Sequence, residues 1–180
     1  MLELTIKAVE LYDDAKEEFV TSKEQVLQLE HSLVSLSKWE SLWCKPFLTK
    51  ASKTVEESID YIRCMTLTQN VPPSAYKFLS QENIDAVAKY IDAPMTATTF
   101  AKSNDKVTNR ETVTAEIIYY WMIALNVPFE CQKWHLNRLL TLINVCNIKN
   151  QPAKKKSQQE ILAQNRALNE ARKKQYNSRG

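Results

Sequence analysis

The spacing of apolar positions along this chain changes near residue 22. Before it, Leu2, Leu4 and Ile6 alternate with Glu3, Thr5 and Lys7, and a second short run, EEFVTS, comes after the turn-like segment DDAKE. Period two marks strands buried on one side, so residues 1–22 are expected to form a β-hairpin. An isolated two-stranded ribbon is marginal in water, so it must lie on helices or lend its edge to another strand. From Ser22 the spacing becomes helical. Ser22-Lys23-Glu24-Gln25 has the pattern of a capping box, and Val26, Leu29, Leu33, Leu36 and Trp43 continue at helical intervals until Pro46 biases Lys45 out of the helix. Thr54-Val55-Glu56-Glu57 opens another helix through Ile59, Ile62 and Met65, expected to stop near Asn70 ahead of Pro72 and Pro73. A helical turn at 74–79 and a helix at 81–91, with Ile84, Val87 and Ile91 on one face, come next. Residues 95–109 show no clear period and predict a long loop with one short strand near 96–100; Thr108 and Glu111 have the spacing to cap the next helix.

The longest apolar region is 112–148, with two of the four tryptophans and two of the four cysteines. Its one break is Asn126-Val127-Pro128, and proline suits the first turn of a helix, where its missing N–H has no intrahelical acceptor. The region therefore predicts an antiparallel pair of helices, 112–125 and 128–146, at the hydrophobic centre of the fold. Val113, Ile117, Trp121 and Ala124 make one stripe, yet Ile118, Tyr119, Tyr120, Met122, Ile123 and Leu125 widen it beyond a single face. That excess width suggests an interface as well as a core. A membrane hairpin is not expected, because each arm is shorter than the roughly 20 apolar residues a span requires and Glu111, Glu116 and Glu130 bracket the run.

Past Ile148 the chain turns polar. A helix from Gln158 to about Tyr176 is expected, behind a capping box at Ser157 to Glu160, with Ile161, Leu162 and Leu168 as a face too thin to dock strongly. Residues 150–180 carry eight basic and two acidic residues, a formal +6, which leaves −3 for residues 1–149 because the whole chain is +3. The fold class expected is mainly α: a single helical domain, 1–149, with a short N-terminal β-hairpin, and a basic C-terminal tail, 150–180, that is partly helical or flexible.

Composition narrows the chemistry. The only glycine among 180 residues is Gly180, which removes the phosphate-cradling loop, the dinucleotide fingerprint and the serine-nucleophile elbow together. Cys44, Cys64, Cys131 and Cys146 lack CxxC spacing and the only histidines, His31 and His135, are far apart, so free buried thiols are expected and no metal or cofactor. The alternating N-terminus is unlike a secretory signal, which points to an intracellular product. Both histidines read as satisfied helix residues rather than general bases. Glu56, Glu57 and Asp60, or Glu111 and Glu116, could pair as carboxylates, but nothing places them in a cleft, and an enzyme is not expected. Basic blocks at both ends of the tail allow phosphate contacts of little sequence selectivity, although Glu160 and Glu170 dilute the field.

The segments LQLEHSLVSLSKWESLWCKPFL, YIRCMTLTQN, DAPMTATTF, EIIYYWMIALNVPFECQKWHLNRLLTLINVCNIKN and NRALNEARKKQYNSRG, taken as a set, resemble a family of small tailed-bacteriophage proteins encoded among the virion structural and tail genes. The likeness covers nearly all of the chain. It implies a helical tail assembly chaperone that binds the tape-measure protein and helps recruit tail-tube subunits in the host cytoplasm, with no catalytic residues to carry over. A structural component of the head or tail, resident in the virion, is the alternative; nucleic-acid binding through the tail is a second. The resemblance covers Trp39, Trp43, Pro46, Phe47, Trp121, Trp134, His135, Asn137 and Arg138 without assigning them roles. The candidate partner-binding residues are Trp39, Trp43 and Phe47 at the end of the first long helix; Ile118, Tyr119 and Met122; His135 and Arg138; and the tail cations Lys154, Lys155, Lys156, Arg172, Lys173 and Lys174. Their partner is expected to be a tape-measure or tube protein, a second copy of the chain, or nucleic acid at the tail.

Overall fold

The structure, a computed structural model, describes residues 1–13, 18–100, 112–150 and 158–176. It is mainly helical with an N-terminal antiparallel hairpin, as the patterning predicts. The strands are β1 (Leu2–Ile6), β2 (Val9–Asp13), β3 (Glu18–Ser22) and β4 (Gln25–Leu29). Pairing runs Leu2↔Leu29 to Ile6↔Gln25 and Val9↔Ser22 to Asp13↔Glu18. Partner numbers add to 31 in both ladders, so the four strands are two stretches of one hairpin in a single register.

The hairpin is longer than expected and absorbs the start of the first predicted helix. Val26 and Leu29 are three apart and mimic a helix, but Leu27 and Leu29 are the fully buried pair while Val26 faces outward, the alternation of a strand. Pairing with β1 decides between the two periods, and Ser22 ends β3 instead of opening a helix. The true cap is Ser32, whose side chain accepts from the Ser35 N–H while the Ser35 hydroxyl accepts from the Ser32 N–H; it opens α1 (Leu33–Trp43).

Helix α2 (Val55–Met65) starts at the predicted box, Thr54 with Glu57, but ends before Asn70. Directly after Met65 the chain turns extended at Thr66 and joins the free edge of β4 through Glu30 N–H to Met65 O and Leu67 N–H to Gln28 O. Edge pairing thus wins over continued helix. A 3-10 turn (Pro73–Phe78) and α3 (Gln81–Asp92) keep closely to the predicted bounds, whereas the strand anticipated near 96–100 does not form. The cap anticipated at Thr108 and Glu111 lies outside the described residues.

The 112–148 region is not an uninterrupted helix pair. It gives α4 (Ala115–Ala124), a 3-10 turn (Phe129–Lys133) and α5, which starts only at Leu136 and runs to Asn150. Nor is it the hub: α1 occupies that place, packed on α2, on α4 and on the 129–133 turn. Leu33, Leu36 and Trp39 of α1 close the core with Leu27, Leu29, Tyr61, Met65, Ile118, Met122, Leu136 and Leu139. Each such side chain contributes about 1.5–3 kcal/mol through burial.

With glycine absent, left-handed turn positions fall to Cys44, Asn70, Met95 and Asn126, at φ 51°, 58°, 49° and 52°. Asparagine takes this conformation at little cost, cysteine and methionine at more. Cys44 is exposed there, Cys64 and Cys146 are half-buried and only Cys131 is buried, so the expectation of buried thiols holds for one of the four. Among the described residues no helix is long and apolar enough to cross a membrane.

The chain divides into two compact units, Met1–Asn147 and Ile148–Gly180. The second contains α6 (Gln158–Tyr176), whose Leu162, Leu168 and Tyr176 are exposed. Ser157, the anticipated cap, lies outside the described residues.

Candidate functional site

Three features of the first unit carry chemistry or surface. The first is a polar seam where the β4–α1 junction meets the start of α5. Leu136 N–H donates to His31 O at 2.7 Å, and Ser32 and His135 form an isolated antiparallel bridge, so both histidines sit in connections and not in helices as expected. Both are buried, with ring centroids 5.0 Å apart. His31 Nδ1 lies 2.5 Å from the Tyr61 hydroxyl. His135 Nδ1 accepts from Asn137 N–H at 3.3 Å, which leaves the hydrogen on Nε2 to donate to Tyr90 O at 3.0 Å. Asn137 Nδ2 donates to Ile91 O and Ala93 O, both at 2.9 Å, and so ties the end of α3 to the start of α5. The Tyr90 hydroxyl donates to Glu30 Oε1 at 2.7 Å.

Burial disfavours the charged form of both imidazoles in this seam. Burial, and then the nearby His135, push His31 down to about 3. Burial also lowers His135, against the Tyr90 carbonyl and Glu30, which favour its cation. Tyr61 and Tyr90 are both raised, first by burial, and keep their hydroxyl protons. Both His135 nitrogens and His31 Nδ1 are engaged by neighbouring side chains and backbone, which makes the seam structural.

The second feature is the aromatic end of α1, where the structure brings Trp39, Trp43 and Phe47 together. Trp39 and Phe47 meet edge to face at 5.0 Å, Phe47 stacks on Tyr61 at 3.8 Å, and Trp43 stacks beside Trp39 at 6.3 Å. Trp39 and Phe47 are buried and Trp43 is half-buried; Trp39 Nε1 donates to Glu57 O at 2.8 Å. As partner residues Trp39 and Phe47 are therefore corrected to core, because their faces are spent on one another and on Tyr61.

Two buried carboxylates hold this corner: Glu57, expected from the sequence as a capping residue, and Glu40, which sequence reasoning passed over. Glu40 accepts from Phe47 N–H at 2.8 Å and, across 75 residues, from Ala115 N–H at 2.7 Å, one of the donors that the start of α4 leaves without a helical partner. Glu57 accepts from Lys45 Nζ at 2.6 Å and from Thr54 N–H at 2.8 Å, bonds that hold it below the usual carboxylate range. A glutamate facing inward on an apolar stripe was the available signal for Glu40, but its two partners were not readable locally.

The third feature is α4, whose expected interface residues are split. Ile118 and Met122 have no exposed surface and belong to the core, so they are corrected as partner residues. Tyr119 is half-buried; its hydroxyl donates to Gln132 Oε1 at 2.9 Å and its ring lies 6.4 Å from Phe129. The surface is instead Tyr120, Ile123 and Phe129, which are 65%, 61% and 52% exposed.

No protein-family model, curated protein or solved structure matches this chain.

The remaining candidates separate. Arg138 is exposed with its guanidinium 4.1 Å from the Trp134 ring centroid, while His135, three residues before it, points into the core and is corrected as a partner residue. Arg172, Lys173 and Lys174 are exposed on α6 in the second unit. Lys154, Lys155 and Lys156 lie outside the described residues. Among those described, no group of three or more His, Cys, Asp or Glu side chains is arranged to hold a metal ion.

Proposed function

We propose that this protein is a tail assembly factor of a tailed bacteriophage, a chaperone that holds the tape-measure or tail-tube protein by apolar contact in the host cytoplasm. The observation that carries this reading is the outer face of α4 and the turn after it. A ten-residue helix, AEIIYYWMIA, has Glu116 as its one charged residue, and Tyr120, Ile123 and the nearby Phe129 stand in solvent. A protein that keeps such a patch exposed has a use for it, and apolar segments of an unassembled client suit a surface so poor in charge. The reading needs no reaction and no cofactor.

Two other readings use the same chain differently. A structural component of the virion would bury the α4 face permanently in the assembled tail or head. Nucleic-acid binding would use α6, where Arg166, Arg172, Lys173 and Lys174 are exposed.

Mass spectrometry of purified virions separates the first two. A chaperone is absent from them, and stoichiometric presence makes the protein a structural component. Affinity capture from infected cells is expected to recover the tape-measure or tube protein with the wild-type chain and to lose it with Ile123→Asp. Recovery of nucleic acid alone, falling steeply with salt, would establish the tail reading.

A further inference from the structure

Lys53 stands between two cavities of the first unit. On one side is a cleft of about 380 Å³ bounded by Trp39, Pro46, Thr49, Ser52 and the Lys45–Glu57 pair. On the other is a pocket of about 160 Å³ between α2 and α3, lined by Phe47, Tyr61, Ile62, Ile84, Val87 and Ile91. Among the described residues, the polar side chains lining the pocket are Lys53, Ser58 and Tyr61, and the Tyr61 hydroxyl is engaged by His31.

The two lysines of this corner are used differently. Lys45 is bound to Glu57 at 2.6 Å. Lys53 has no carboxylate within ion-pair distance among the described residues, and its ammonium sits 4.2 Å from the centroid of the Phe47 ring. Half-buried, it is pushed below the ordinary lysine range by burial, with Glu57 acting in the opposite sense. A cation kept partly out of water, over a ring face and without a carboxylate in ion-pair contact, gains from an anion that reaches it. The volume beside it sets the rest of that anion, since an apolar cavity of about 150 Å³ accommodates a benzene ring.

We propose that the α2–α3 pocket binds a small carboxylic acid with a single-ring or similarly compact apolar body, its carboxylate on Lys53 Nζ and its body against Ile84, Val87 and Ile91. The Ser58 hydroxyl lines the same pocket but spends its one proton on Thr54 O at 2.9 Å, which leaves Lys53 Nζ as the donor to the head group. The site is independent of the α4 surface and of the assembly reading.

Methyl NMR of the full chain, titrated with benzoate and with benzyl alcohol as its neutral counterpart, tests this. Benzoate is expected to shift the Ile84 and Ile91 methyl signals and to bind at least ten times more tightly than benzyl alcohol. Lys53→Met brings the two probes to equal affinity, and Lys53→Arg keeps the preference. Ala88→Phe, at an exposed position on the pocket's edge, blocks both probes, with the remaining methyl spectrum reporting an intact fold. Equal affinity of the two probes in the wild-type chain, unmoved Ile84 and Ile91 signals, or a benzoate preference that survives Lys53→Met would overturn the proposal.

Discussion

The buried polar corner around Glu40 and the bare outer face of α4 make opposite use of side chains. Glu40 is a charged residue placed inside, where it holds two backbone N–H groups from segments far apart in sequence. Tyr120 and Ile123 are apolar residues placed outside, where they hold nothing within this chain that burial would reward. The first arrangement fixes which loop meets which helix. The second contributes little to folding and leaves surface for association. Residue type alone misassigns both, and only the partner of each group tells them apart.

Removing the carboxylate should have the largest effect. Glu40→Ala leaves two buried N–H groups without acceptors and is expected to cost about 4 kcal/mol in urea unfolding, at roughly 1–3 kcal/mol for each unsatisfied group. A cost below about 1 kcal/mol would show that water replaces the carboxylate and that the corner does not fix the fold.

Adjacent residues of α4 give the sharper contrast. Met122→Ala should lose about 3 kcal/mol, because Met122 has no exposed surface and leaves a cavity, while Ile123→Ala should stay within about 0.5 kcal/mol. Equal losses would mean that the outer face is covered in solution, for instance by self-association, which sedimentation of the same samples would detect.

The histidine seam predicts a pH dependence of intermediate size. His31 is depressed to about 3 from 6.5, so the unfolded chain takes up its proton first as pH falls. Its contribution is therefore fully present above pH 6.5 and is lost progressively towards pH 3, at up to about 1.4 kcal/mol per pH unit. His135 is also lowered and acts in the same direction, and its cation would set Nδ1–H against the Asn137 N–H. Unfolding free energies are expected to fall by about 2 kcal/mol between pH 6.5 and pH 5, and the His31→Gln, His135→Gln double variant should flatten that window. An unchanged slope in the double variant would transfer the effect to carboxylates.

The smallest effect is at a turn. Met95→Gly should stabilise by about 0.5–1 kcal/mol, since Met95 holds a left-handed conformation that glycine adopts without steric penalty, and thermal melts would register it as a higher midpoint.

Local signals explain what the sequence made readable. Helices α2 and α3 and the first strand announce themselves through Thr54 with Glu57, through Ile84, Val87 and Ile91, and through Leu2, Leu4 and Ile6, all within one or two turns or one pleat. Strand β4 was hidden because Val26, Leu27 and Leu29 satisfy two periods, and pairing with β1, 19 to 27 residues away, chooses between them. The same distance limit hid the Glu40 corner, the Ser32–His135 bridge and the direction in which Ile118 and Met122 point. The excess apolar width of α4 was legible as a quantity; the split of its inner and outer faces became visible only once α1 was seen to cover one of them.

The bond from Leu136 N–H to His31 O has a bearing on how the protein is made. The β4–α1 junction is synthesised early, and the segment that covers it, with Leu136, Leu139 and Ile143, arrives about a hundred residues later. Helix α2 can pack on Leu33 and Leu36 in the meantime, but the side that Leu136 and Leu139 close stays open until they emerge, and apolar surface exposed in that interval is open to aggregation.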